Sequence, residues 1–404
     1  MSEWKKVKLK DITISITDGK HGDCKGQDNS GYYFISCKDV SDGTIHYENA
    51  RQITKEDFIE TDKRTNLATN DILITNSGTI GRMAFVKDIP ETRKTTFQKS
   101  VAIVKPNTDK VLPIYLYYLL QSKVSEFVNS SNGAAQKNLL LSTMREFELS
   151  IEESFSIQHR IATILSRYDS LIENYQKQIK LLEESAQRLY KEWFIDLRFP
   201  GHENTKIVDG VPDGWEKKKI FELGKVITGK TPSTANKANY GGDIPFITIP
   251  DMHSGIYPIS SQRLSKQGAE SQLGKYIPEN SLMVSCIGTA GLVCISETLC
   301  QTNQQINSLV LDNDIKLYYM YFTFLSLKEH LNNIGSNGAT MTNVNKSKFE
   351  NIEVVVPVDS LLDTFNLIVN NTFAKIKNLS YQIRHITEAR DRLLPKLMSG
   401  EIEV

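Results

Sequence analysis

Asn70 to Gly81 reads NDILITNSGTIG, and Asn280 to Gly291 reads NSLMVSCIGTAG. Each joins a short apolar run to a Gly-Thr-x-Gly turn. The flanks decide whether this is chance. Trp4 opens WKKVKLKDI, and Trp215 opens WEKKKIFEL. YYFISCKDV ends at Val40 and IPFITIPDM at Met252. YLYYLL starts at Tyr115 and YMYFTF at Tyr319, and Ser-Asn-Gly-Ala starts at Ser131 and again at Ser336. FELSI then answers IEVVV. The offset shrinks from 211 residues at the tryptophans to 204 at the tyrosines, as small deletions produce. Ordered matches along both halves identify a tandem duplication.

A repeated unit of roughly 200 residues is too long for a solenoid repeat and predicts two similar domains. Each starts with short β-type runs, such as FISC, DILIT, MAFV and VAIV, split by Gly, Asn and Asp. Aromatic-rich helices are predicted over Ile114–Val128 and Leu317–Leu331. A last strand leads into a long helix. The expected fold class is α+β: two similar mixed α/β globular domains, each with a long helix.

From Ile161 the apolar positions are Ile161, Leu165, Tyr168, Ile172, Tyr175, Ile179, Leu182, Ala186, Leu189 and Trp193. Their spacing of four and three is a heptad stripe. A shift of 204 places Phe365, Val369, Thr372, Ile376, Leu379, Ile383, Ile386, Arg390, Leu393 and Leu397 on the same positions. Only Thr372 and Arg390 are polar. Ser360 with Asp363 reads as a capping box for the second helix. So narrow a seam predicts a partner helix, and the other copy is the natural one. The first helix must end where the second domain begins, after the short linker RFPGHENTKIVDGVPDG. The second helix must therefore run back antiparallel, giving a coiled-coil spacer and an internal pseudo-two-fold repeat. Such a spacer would be about 50 Å long at 1.5 Å per residue. That equals roughly 14 base pairs, so two heads could face two half-sites on one duplex or two copies of one partner.

The formal net charge of zero neither points to nor excludes a nucleic-acid partner. MSEWKKVKLKD has no apolar signal region, and no apolar run reaches the roughly 18 residues a membrane helix needs. Cys24, Cys37, Cys286, Cys294 and Cys300 form no CxxC pair, so free thiols in a reducing cytoplasm are expected. The seven histidines show no metal spacing. GKVITGKT, Gly224 to Thr231, fits the P-loop pattern. Its context does not: EKKKIFEL is not the strand that precedes a P-loop, and PSTANKANYGGD cannot be the helix that follows one. Methyltransferase tetrapeptides are missing, and Glu216-Lys217-Lys218 has no separate acidic partner for nuclease chemistry. No catalytic centre is expected.

Taken in order, the WxxxxL starts, GTIG and GTAG, NQQI (Asn303 to Ile306), the paired heptad helices, WFIDLRFPG (Trp193 to Gly201) and LLPKLMSGEI resemble the specificity subunit of type I restriction-modification systems. The resemblance covers essentially the whole chain. It implies a first target-recognition domain at 1–152, a spacer helix at 153–197, a linker at 198–214, a second target-recognition domain at 215–357, and a second spacer helix with a tail at 358–404. It implies that each domain reads one half of a split double-stranded DNA target. It also implies two methyltransferase subunits docked on the helices, joined by endonuclease-translocase subunits. S-adenosylmethionine, ATP and magnesium would belong to those partners, with no cofactor or metal in this chain and no membrane. TFQKS (Thr96 to Ser100) departs from TNQQI in the second copy, so base-reading detail does not transfer there.

Base reading needs forked donors and amides, and phosphate contacts need Lys, Arg and small polar loops. In the first domain the candidates are Lys20, His21, Ser77, Arg82, Arg93, Lys94, Gln98, Lys99, Gln136 and Lys137. In the second they are Lys230, Thr231, Ser233, Asn303, Gln304, Gln305, Thr342, Asn343 and Lys346. The glycines of GTIG and GTAG are expected to shape turns. The rival reading is a protein scaffold that bridges two identical partners without touching DNA.

Overall fold

The computed structural model describes residues 4–131, 138–336 and 342–404. The chain forms two compact units, one of Met1–Glu173 with Arg384–Val404 and one of Asn174–Ile383. Both long helices are shared between the units, so the units cut across the boundaries that the repeat implies.

The first unit holds a four-stranded antiparallel sheet in the order Thr13–Asp18, Val101–Pro106, Ile72–Thr75, Met83–Phe85. A three-stranded sheet runs Arg51–Gln52, Tyr33–Ile35, Thr95–Phe97, with its last pair parallel. Trp4–Lys8 pairs with Glu148–Glu152. The second unit repeats these three sheets. Its four strands run Gly224–Thr228, Ile306–Leu311, Leu282–Ser285, Val293–Ile295. Its three run Gln262–Leu264, Tyr240–Ile247, Gln301–Thr302, again ending in a parallel pair. Glu216–Lys219 pairs with Glu353–Val356. The duplication read from the sequence is therefore present in these three sheets, while the first unit adds a short pair, Val40–Ser41 with Thr44–Ile45, that has no counterpart among the described residues of the second.

The four-stranded sheets are buried on both faces, which explains their unbroken apolar runs. Side chains alternate across a strand. Ile72, Ile74, Ala102 and Val104 face a core with Tyr115, Leu116 and Leu119. Leu73, Val101 and Ile103 face a second core with Ile35, Val40 and Phe97. In the second unit Leu282 and Val284 face one core, and Met283 faces another.

The aromatic helices are each broken where the sequence predicted one span. The first is Pro113–Ser122 followed by Val124–Asn129, and the second is Leu317–Ser326 followed by Lys328–Ser336. A serine precedes each break. Ser122 Oγ donates to Leu119 O and Ser326 Oγ to Thr323 O, both at 2.7 Å. Such side-chain bonds compete with the helical ladder and favour an end there.

The first long helix spans Phe155–Tyr190 and widens into a π turn over Lys191–Ile195. The second spans Asp359–Met398. Because it starts at Asp359, Ser360 lies inside its first turn and is not the N-cap residue that the capping-box reading required. Within each unit the two helices run antiparallel. In the first, Asp169 pairs with Arg390 at 2.6 Å, and Ile161 and Leu165 share a core with Leu397. In the second, the rings of Trp193 and Phe365 lie 5.9 Å apart, and Ala186 shares a core with Phe373 and Ile376. No position of the heptad stripe is exposed. The segment after the first helix carries a small hairpin, Ile207–Val208 against Val211–Pro212. No helix among the described residues is long and apolar enough to cross a membrane.

Candidate functional site

The Gly-Thr-x-Gly turns organise a loop cluster in each unit. Gly81 has φ 88° and Gly291 φ 89°, a region open to glycine but strained for other residues. Gly81 N–H donates to Thr75 O at 2.9 Å, and Gly291 N–H to Ser285 O at 3.0 Å. The next amides, Arg82 and Leu292, donate to the hydroxyls of the same Thr75 and Ser285 at 2.9 and 2.8 Å. Each turn leaves its central Gly-Thr pair exposed.

Other loops are stitched to this turn by backbone bonds. In the first unit Lys20 N–H donates to Phe97 O at 2.8 Å and Lys99 N–H to Lys20 O at 3.1 Å. Asn76 N–H donates to Ser100 O at 3.0 Å and Leu139 N–H to Asn76 O at 2.8 Å. In the second unit Lys230 N–H donates to Thr302 O at 2.9 Å, Cys286 N–H to Gln305 O at 2.8 Å, and Gly288 N–H to Thr342 O at 3.0 Å. Four loops far apart in sequence thus meet at the same end of the same sheet in both units.

Their side chains differ. In the first unit the buried Asp18 carboxylate holds His21 at 3.0 Å and the Arg64 guanidinium. Lys20 lies 3.5 Å from Glu60. Arg82 and Lys99 are exposed, without an ion-pair partner among the described residues, and Ser77 bridges to Asn138 beside the turn. Gln98 is half-buried in the same cluster. Arg93 and Lys94 are not brought there. They precede Thr95–Phe97, at the end of that strand away from Gln98, and Lys94 sits over the Tyr32 ring. Gln136 and Lys137 lie outside the described residues.

The second unit presents amides and hydroxyls. Thr231 Oγ1 donates to Gln304 Oε1 at 2.7 Å. Asn303 is buried, with its amide donating to Gln305 Oε1 at 3.0 Å and its Oδ1 accepting from Gln305 N–H at 3.1 Å. It shapes the loop from inside. Beneath it, Gln272 Nε2 donates to Lys230 O and Gln301 Oε1 at 2.8 and 2.7 Å. Lys230, Ser233, Gln304 and Asn343 are exposed, and Thr342 is half-buried. Lys346 opens a short helix and pairs with Glu350 at 3.3 Å. Burial pushes the Cys286 thiol up to about 12, which leaves it protonated and inert under its loop.

The P-loop-like stretch is a strand here. Gly224–Thr228 pairs antiparallel with Ile306–Leu311, and a Cβ on Gly229 would fall 2.2 Å from Asn303 O. Arg64, Asp18, Gln272 and Gln301 escaped the sequence reading. For Arg64 a signal existed: basic residues before Asn66, which caps its helix with φ 39°.

One mixed α/β fold is built twice, and each copy carries the same loop cluster with different polar side chains. That defines a class of duplicated recognition proteins. The chain belongs to the type I restriction-modification specificity-subunit family, with one target-recognition domain in each unit: residues 1–184 and 212–360 match the type I restriction modification DNA specificity domain. It is 30% identical over its whole length to the whole of the type I restriction enzyme HindI specificity subunit of Haemophilus influenzae. It is also 30% identical, again over its whole length, to 94% of the MjaIX specificity subunit of Methanocaldococcus jannaschii. The fold is similar to the S subunit of a type I restriction-modification system from M. genitalium, with a TM-score of 0.56 at 15% identity over 98% of this chain and 96% of that one.

Proposed function

We propose that each loop cluster reads one half of a split target on double-stranded DNA, and that the chain thereby sets where partner enzymes methylate adenine and cut. The observation that carries this reading is the same four-loop cluster in both units with different side chains. One scaffold then presents two different reading surfaces. Exposed Arg82 and Lys99 suit phosphates, while Gln304, Thr231 and Asn343 suit base edges. The antiparallel helices fix the half-site separation and dock two methyltransferase subunits, which endonuclease-translocase subunits join. The chain itself is non-catalytic. S-adenosylmethionine, ATP and magnesium serve the partners, and the complex works in the cytoplasm.

A methylation map of cells with and without this gene tests the reading. Loss of one split motif, two short blocks with a fixed gap, is the expected result. Methylation unchanged in cells that express the gene with its partners, together with no salt-dependent DNA affinity of the assembled complex, would favour the scaffold reading.

A further inference from the structure

Within the first unit, Trp4, Ile157, Ile161, Leu397 and Ile402 wall a cavity of about 180 Å³, and Glu152 and Glu403 also line it. The cavity is separate from the loop cluster. It lies by the strand pair of Trp4–Lys8 and Glu148–Glu152, at the start of the first long helix and the end of the second.

Glu152 is 1% exposed. Its Oε1 accepts the Ser154 N–H at 3.0 Å, but its Oε2 has no hydrogen-bond partner among the described residues. Leaving a buried carboxylate oxygen unpaired is costly, so such an atom calls for a partner from elsewhere. Glu403 forms no ion pair among the described residues either. Two acidic groups, one buried and one exposed at the rim, thus line one cavity with no cation paired to either among the described residues.

The second copy shows that the fold does not require this. There Trp215 stands for Trp4, and the rings of Phe199 and Phe194 cover it at 5.4 and 6.0 Å. The 204-residue shift puts Glu403 in the place of Phe199. Trp4 faces Glu152 across its strand pair, whereas Glu216 faces Val356, so Pro357 holds the place of Glu152. One copy is plugged by aromatic rings, and the other has a chamber with two carboxylates.

We propose that this cavity is a binding subsite for an alkylammonium group: a primary ammonium on a short apolar stem. The ammonium pairs with Glu152 and Glu403, and the stem packs on Ile157, Ile161 and Leu397. The Trp4 ring adds a cation–π contact. A free small amine and a lysine side chain offer the same chemistry.

The test is a titration of the full chain with n-butylammonium chloride, read on the indole N–H resonances of its three tryptophans. A saturable shift of the Trp4 resonance is expected, with no such shift from sodium chloride or n-butanol. Glu152→Gln should weaken binding at least tenfold, and Glu403→Gln severalfold. Tighter binding of a lysine blocked at both ends would assign the source to a protein side chain. Tighter binding of butylammonium would assign it to a free amine. No shift, an equal shift from sodium or butanol, or unchanged affinity in Glu152→Gln overturns the proposal. Should Glu152→Gln fail to fold, unchanged affinity in Glu403→Gln overturns it instead.

Discussion

Glu183 lies on the first long helix, and burial pushes its carboxyl up to about 7 from an ordinary 4.5. The unfolded chain therefore gives up this proton between roughly pH 4.5 and 7 while the folded chain keeps it. The sign is a loss of stability as pH rises through that window, with no further change from this group above it. Glu183→Gln should leave stability at pH 4 nearly unchanged and raise it at pH 8 by about 1–3 kcal/mol, after discounting for residual solvent screening. Chemical denaturation of both proteins at the two pH values checks this. Gly81 makes a second residue-level prediction. A Cβ there would lie 2.7 Å from Val124 Cγ1 on a backbone at φ 88°. Gly81→Ala should cost about 2 kcal/mol, seen as a lower midpoint in the same experiment. In the first loop cluster, replacing Lys20, Arg82 and Lys99 together with alanine should weaken DNA binding by the assembled complex across all sequences. It should also flatten the plot of log affinity against log salt by up to about three units of slope. Gln304→Ala should instead change the preferred bases in one block only, read from the methylated motif.

At the scale of elements, the heptad stripe was legible because its period is a local property of the chain. Arg390 was visible only as an exception to it. The structure supplies the reason. Arg390 Nη1 donates to Asp169 Oδ1 at 2.6 Å, and the Tyr118 hydroxyl donates to Asp169 Oδ2 at 2.6 Å. These three residues lie on three helices, and nothing in their spacing announces the contact. The same holds for Asp18 with Arg64 and for Gln272 with Gln301, which join segments that only tertiary folding brings together. The loop clusters were half legible. Turn residues and polar composition marked the right loops, but strand length carried Arg93 and Lys94 away from Gln98 and Lys99. Both Arg390 and Asp169 are about three-quarters buried. Arg390→Ala should therefore destabilise the chain by about 1–3 kcal/mol, and the Asp169→Ala, Arg390→Ala double variant by less than the sum of the single changes. A double-mutant cycle in urea measures the coupling.

At the scale of the whole molecule, each unit has its own cores, and each carries a complete loop cluster. Exchanging the loops of one unit for those of a relative should therefore alter one block of the methylated motif and leave the other intact, as a methylation map would show. The make-up of the first unit has one more consequence. It needs residues from both ends of the chain, Met1–Glu173 and Arg384–Val404, whereas the second unit is the continuous stretch Asn174–Ile383. On the ribosome the part begun first is therefore completed last. The second unit has all its residues while the first still lacks Leu397 and Met398 from its core, and a chain interrupted after Ile383 would carry a finished second unit beside an unsealed first one.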